Sequence, residues 1–159
     1  MERGDVPYTA EELIQLPAEP ASAARARAFV RDRLHRGRHQ ALEAPALLCV
    51  TELVANVSVH TDSCECVVAV RDTTDSVVIE VSDQTSELPT MRPVSLQAEH
   101  GRGLQIVDAL AREWGVRHSP GRCKSVWVRL VAGGWGAPGG SSTGARPPAA
   151  PVLEEGFVF

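Results

Sequence analysis

Two β-rich runs, Cys64–Arg71 and Ser76–Ser82, stand on either side of Asp72-Thr73-Thr74-Asp75. Runs of Val and Ile suit a pleated surface and a short polar stretch suits a turn, so the pair predicts an antiparallel hairpin. A lone hairpin is barely stable in water, so the rest of the chain must add strands and a layer that covers them. The flanking segments are helical in period. Ala26, Phe29, Val30 and Leu34 form one stripe in a helix expected from Ser22, read as its cap, to about Leu34. A second helix is expected from Pro45, a favoured first-turn residue, to about His60. A third is expected over Leu104–Trp114, with Leu104, Val107, Leu110 and Ala111 in register and Gly115 as its stop. Glu12–Leu16, ended by Pro17 and Pro20, reads as a first strand. Val116–His118 and Ser125–Val131, either side of Ser119-Pro120-Gly121, read as a last pair. These elements predict an α/β sandwich of the α+β type, with helices on one face of a mostly antiparallel sheet.

The composition breaks after Leu130. From Ala132 to Pro151 the chain is almost entirely Gly, Pro, Ala, Ser and Thr, interrupted by Trp135 and Arg146, and it ends on the apolar Val152-Leu153-Glu154-Glu155-Gly156-Phe157-Val158-Phe159. Too little apolar surface is available there to offset the entropy of ordering. The expected organisation is one domain over residues 1–131 and a flexible tail over residues 132–159. A net charge of −4 gives no reason to expect nucleic acid or a membrane surface as partner. No basic start leads into an apolar run, and no window approaches the roughly 20 apolar residues of a membrane span. The four cysteines lack the spacing of a secreted disulfide framework, so reduced thiols in a cytoplasmic protein are expected. Arg25, Arg27, Arg31, Arg33, Arg36 and Arg38, with Asp32 as the nearby acid, read first as a solvated face and second as a dock for an acidic partner.

Three segments could carry chemistry. In Thr51-Glu52-Leu53-Val54-Ala55-Asn56-Val57-Ser58-Val59-His60, the residues Glu52, Asn56 and His60 recur every four positions and form a polar stripe beside the apolar one. A carboxylate can take a proton from an attacking hydroxyl, and an amide oxygen one turn on can ligate a hard divalent cation beside phosphates. On its own such a stripe is more often a solvated helix face. Asp83 closes the strand Val77–Ser82, where a carboxylate can accept a hydrogen bond from an exocyclic amine such as that of adenine. Gly101-Arg102-Gly103-Leu104 runs into a helix and offers backbone N–H groups and the helix dipole to an anion.

The order and spacing of these segments resemble the GHKL ATPase superfamily, and within it the bacterial anti-sigma-factor serine/threonine kinases. Glu52–His60 resembles the N box, Ser82-Asp83 the G1 box and Gly101–Val107 the G2 box. The resemblance spans about Leu16 to Leu130. It implies a Bergerat fold, a mixed and mostly antiparallel sheet backed by helices, with ATP and Mg²⁺ bound between the layers under a lid over roughly Thr90–His100. It also implies Glu52 as general base, Asn56 as Mg²⁺ ligand, Asp83 as adenine reader and Gly101, Arg102, Gly103 and Leu104 beside the phosphates. Ser125 takes the place of a Thr common beside the adenine, and His60 lies one turn beyond Asn56. The implied partners are ATP or ADP, a sigma factor, an anti-sigma-factor antagonist and a second copy of the chain. One departure stands out: where the G1 box usually has Asp-x-Gly-x-Gly, this chain reads Asp83-Gln84-Thr85-Ser86-Glu87. Loss of both glycines leaves a second expectation open, a weak or inactive ATP-binding fold that regulates by protein binding alone. A histidine-kinase catalytic domain is disfavoured, for the chain has no room for a dimerisation helix pair.

Overall fold

The computed structural model describes residues 10–60, 65–83, 102–119 and 123–133. In chain order these form β1 (Ala10–Pro17), α1 (Ser22–Arg36), a 3₁₀ turn (Gln40–Leu42), α2 (Glu43–His60), β2 (Glu65–Asp72), β3 (Ser76–Asp83), α3 (Arg102–Leu110), β4 (Glu113–Ser119) and β5 (Cys123–Val131). The strands make one sheet in the order β1-β2-β3-β5-β4. Each described pairing is antiparallel, so the mixed sheet implied by the resemblance is purely antiparallel among the described residues. The result is an α+β fold.

The expected hairpin is present as β2 and β3, with Val68 opposite Val81 and Val70 opposite Ile79. Its turn is closed twice by Thr73, whose N–H donates to Ser76 O at 2.9 Å and whose Oγ1 accepts the Ser76 N–H at 3.1 Å. Strand alternation sends Val68, Val70, Ile79, Val81, Val126 and Val128 to one face, where they meet Val30, Leu34, Val50, Val54 and Val57 of the helices. Burying each such side chain contributes roughly 1.5–3 kcal/mol, which makes this helix-side core the main source of cohesion.

Two local expectations fail. Ser22 is the first residue of α1 rather than its cap; its buried hydroxyl donates back to Pro17 O at 2.6 Å, and Ala21 precedes the helix without a side-chain cap. The third helix stops at Leu110 and not at Trp114. The Arg112 N–H already donates to Arg129 O at 2.8 Å, and Trp114 lies in β4 opposite Val128. Sheet pairing wins there over a helical period that Trp114 also happened to fit. Gly115 is therefore no helix stop; it sits in mid-strand opposite Trp127.

Three of the arginines in and around α1, Arg31, Arg33 and Arg36, are matched by acids from other elements. Arg31 pairs with Glu43 at 2.8 Å, Arg36 grips both oxygens of Glu12 at 2.6 and 2.7 Å, and buried Arg33 meets Asp72 at 2.5 Å. Those acids lie 12 to 39 positions away in the chain, which is why inspection of α1 alone shows an unbalanced basic face. No described helix is long and apolar enough to cross a membrane.

Candidate functional site

The topology gathers three chain ends at one end of the sandwich. α2 runs out at His60 and β2 begins soon after at Glu65, with Cys66 paired to Asp83. The C-terminal ends of α2 and β3 therefore lie together. α3 feeds from Leu110 into β4 at Glu113, whose partner Arg129 lies toward the far end of β5, so the N-terminus of α3 points back to the Asp83 end. Glu52, Asn56 and His60 on α2, Asp83 on β3 and the first turn of α3 thus converge, as the motif order requires.

Within this convergence Gly103 of α3 lies against Glu52 of α2. Leu53, Val54 and Val57 turn into the core, leaving Glu52 and Asn56 half-buried on the adjoining face. α3 packs across that face through Val107, which is fully buried. A Cβ placed on Gly103 would lie 2.8 Å from Glu52 Oε2 and 3.6 Å from its Cβ, so only a residue without a side chain lets α3 approach the carboxylate this closely. Among the described residues nothing hydrogen-bonds the side chain of Glu52 or Asn56. Half-buried polar groups without such a partner are free to meet a ligand. Beneath them Cys49 is buried, and its thiol is pushed up to about 12, by burial first and by the Glu52 charge second. It stays protonated and has no place in nucleophilic chemistry.

Chemically, a carboxylate one turn from an amide, set against the start of a second helix, can hold a proton acceptor near an anion whose charge that helix N-terminus favours. The amide of Asn56 offers a single neutral hard oxygen. That fits Mg²⁺, which keeps most of its water and takes few protein ligands when phosphates supply the rest.

The other expected site residues divide by place. His60, Asp83, Arg102 and Leu104 are placed by backbone: His60 ends α2, Arg102 opens α3 with Leu104 two positions on, and position 83 follows Val77, Ile79 and Val81 in the alternation of β3. Gly101, the lid over Thr90–His100, the altered G1 stretch Gln84–Glu87 and the tail from Gly134 lie outside the described residues. Ser125 reaches the same end of the sheet but faces away from the helices. It pairs with Ser82, and its hydroxyl donates to Glu80 Oε1 at 2.6 Å. The structure does not bring Ser125 together with Glu52. Glu80 itself passed unnoticed in the sequence, although a single acid inside Val77-Val78-Ile79-Glu80-Val81 signals a buried partner; Arg71 Nη2 is that partner at 2.7 Å.

Comparison with known proteins adds one match. No sequence among curated proteins matches the chain. The profile of the histidine kinase-like ATPase domain matches residues 16–130, well over half of the chain, and takes in every described element except most of β1 and the residues from Val131 on. With its antiparallel sheet, one-sided helices and motif order, the chain belongs to the histidine kinase-like ATPase domain family of the GHKL superfamily.

Proposed function

We propose that this protein is an ATP-dependent serine/threonine protein kinase that phosphorylates an anti-sigma-factor antagonist and sequesters a sigma factor in its cytoplasm. The observation that carries the reading is the Glu52 carboxylate, free of described partners, held against Gly103 with Asn56 one turn beyond. In the proposed step Glu52 takes the proton of a Ser or Thr hydroxyl as the hydroxyl oxygen bonds to the γ-phosphorus of ATP. The bond to the β-phosphate oxygen breaks and ADP departs. Asn56 would hold Mg²⁺, which when bound neutralises phosphate charge. Asp83 would read the adenine amine, and Gly101, Arg102, Gly103 and Leu104 would approach the phosphates. The added phosphate changes the charge where target and kinase meet, separating them and freeing this protein for its sigma factor.

A second reading, a regulator that binds partners without turnover, is favoured by the glycine-free stretch Gln84-Thr85-Ser86-Glu87. Phosphate-transfer assays with an antagonist protein, run beside nucleotide titrations, separate the two. Glu52→Gln keeps the side-chain shape, so nucleotide affinity should stay within a few-fold while transfer falls roughly 10²–10⁴-fold. Asn56→Ala should weaken both, as loss of a metal ligand does. Equal transfer by wild type and Glu52→Gln removes Glu52 from the mechanism, and no transfer by the wild type selects the second reading.

A further inference from the structure

At the end of the sandwich away from Asp83, a glycine and an arginine stand in each other's expected places. α1 is stopped by a reversal in which the Gly37 N–H donates to Arg33 O at 3.0 Å, the Arg38 N–H to His35 O at 3.3 Å and the His39 N–H to Leu34 O at 2.8 Å. Such a stop puts one residue in the left-handed conformation, and glycine is its usual occupant because it has no Cβ to clash. Here that residue is Arg38, at φ 61, the one non-glycine residue with positive φ among those described. Gly37 sits one position earlier at φ −81, which any residue adopts.

Space explains the glycine. A Cβ on Gly37 would lie 2.8 Å from Asp72 Oδ2 and 3.0 Å from both Arg33 Nη1 and His39 Cδ2. Asp72 is buried there between Arg33, 2.5 Å away, and His39 Nε2, 3.3 Å away. Packing therefore fixes glycine at 37 and leaves the left-handed position to its neighbour. It does not ask for arginine, since Asn suits that conformation better and Gly best. Arg38 is exposed, and no described residue bonds or pairs with its guanidinium. Backbone strain kept under a charged side chain that has no structural partner points to a use for the charge.

The charge borders a hollow of about 480 Å³, lined by Arg36, Arg38, His39, Asp72 and Thr74 among others. Pockets of about 300–1,000 Å³ suit small molecules. The other guanidinium groups of the wall are already matched, Arg33 by Asp72 and Arg36 by Glu12 and Asp32. Asp72, the acid of the wall, is buried and held by Arg33, so it presents little charge to the hollow. The last carbonyls of α1 already accept from the three N–H groups of the reversal, which blunts the negative end of the helix. From the β2–β3 turn Thr74 adds an exposed hydroxyl that bonds nothing among the described residues. An unmatched guanidinium fork and a free hydroxyl suit an oxyanion, which accepts from both.

We propose that Arg38 and Thr74 hold the carboxylate or phosphate group of a small molecule in this hollow, at the opposite end of the sheet from Asp83. The test is a titration of the ¹⁵N-labelled full chain with inorganic phosphate and with glutarate, against sodium chloride at equal ionic strength. The His39 and Thr74 amide signals should shift with at least one of the two anions and saturate at low millimolar concentration, the tighter anion identifying the group. Arg38→Gly should weaken that binding roughly ten-fold or more, the loss of a charge-assisted hydrogen bond. It should also raise the melting temperature by about 2–4 °C as the left-handed strain is relieved. Arg38→Asn, whose side chain tolerates the same conformation, should weaken binding equally. The Gly103 and Leu104 amides report phosphate at the nucleotide end and should respond alike in all three proteins, so failure at one end leaves the other standing. Shifts confined to Gly103 and Leu104, equal affinity at Thr74 in wild type and either variant, or a melting temperature lowered in both variants overturns the proposal.

Discussion

At the scale of single residues, Gly103 and Ser125 make opposite demands on the site. Gly103 is where α3 meets the Glu52 carboxylate, and an alanine there would strike the flexible end of that side chain. Gly→Ala inside a helix gains up to about 1 kcal/mol. The contact can be relieved by swinging the carboxylate aside, so Gly103→Ala should hold thermal stability within about 1 kcal/mol of wild type. Phosphoryl transfer should nevertheless drop at least ten-fold, because the displaced group is the proposed base. A melting curve and a transfer assay on the same preparation check both halves. Ser125 predicts the reverse. Ser125→Ala strands a buried oxygen of Glu80, which should cost about 1–3 kcal/mol on denaturant unfolding while nucleotide affinity stays unchanged. A fall in affinity without a fall in stability would return Ser125 to the base-binding site. Its face was illegible in the sequence because Val126, Trp127 and Val128 are all buried. With both faces dry, no polar alternation marks which residues turn toward the helices.

At the scale of elements, legibility followed the strength of the local signal. The β2–β3 hairpin and α2 were readable because a valine-rich pair around a polar turn, and two parallel stripes four residues apart, each admit one secondary structure. The end of α3 was not, since Trp114 satisfied the helical period and only its pairing with Val128 settles the matter. Neither was the charge balance of α1, whose partners come from β1, α2 and β2. Two of those partnerships have an acid signature. Hydrogen bonding by Arg36 holds the Glu12 carboxyl below the usual carboxylate range, and hydrogen bonding by His35 and then Arg31 does the same for Glu43. A carboxyl depressed in the folded chain contributes stability above its unfolded pKa of about 4.3 and loses it as pH falls through the folded value. The melting temperature should therefore decline on acidification below about pH 4.3. Glu12→Gln with Glu43→Gln should show a shallower decline over the same range. Parallel acid limbs in the two proteins would show that these pairs, exposed as they are, contribute nothing measurable.

At the scale of the whole molecule, the sandwich turns scattered motifs into one place. The crossover from β3 through α3 to β4, at the sheet edge beyond β5, carries the glycine motif back to the Asp83 end and lays it against the α2 stripe. That convergence could be anticipated from motif order, because the motifs are spaced as the superfamily spaces them. The packing of Gly103 on Glu52 and the buried Arg71–Glu80–Ser125 cluster on the outer face could not, since both depend on how elements meet in space. This end of the sandwich is proposed to bind ATP or ADP with Mg²⁺. Isothermal calorimetric titration of the wild type and of Asp83→Asn with Mg²⁺-ADP tests it most directly. Saturable binding by the wild type is expected at millimolar nucleotide or below, weakened in Asp83→Asn by roughly 1–3 kcal/mol, the worth of a charge-assisted hydrogen bond. No heat from the wild type at millimolar nucleotide, or equal affinity in the two proteins, would contradict it.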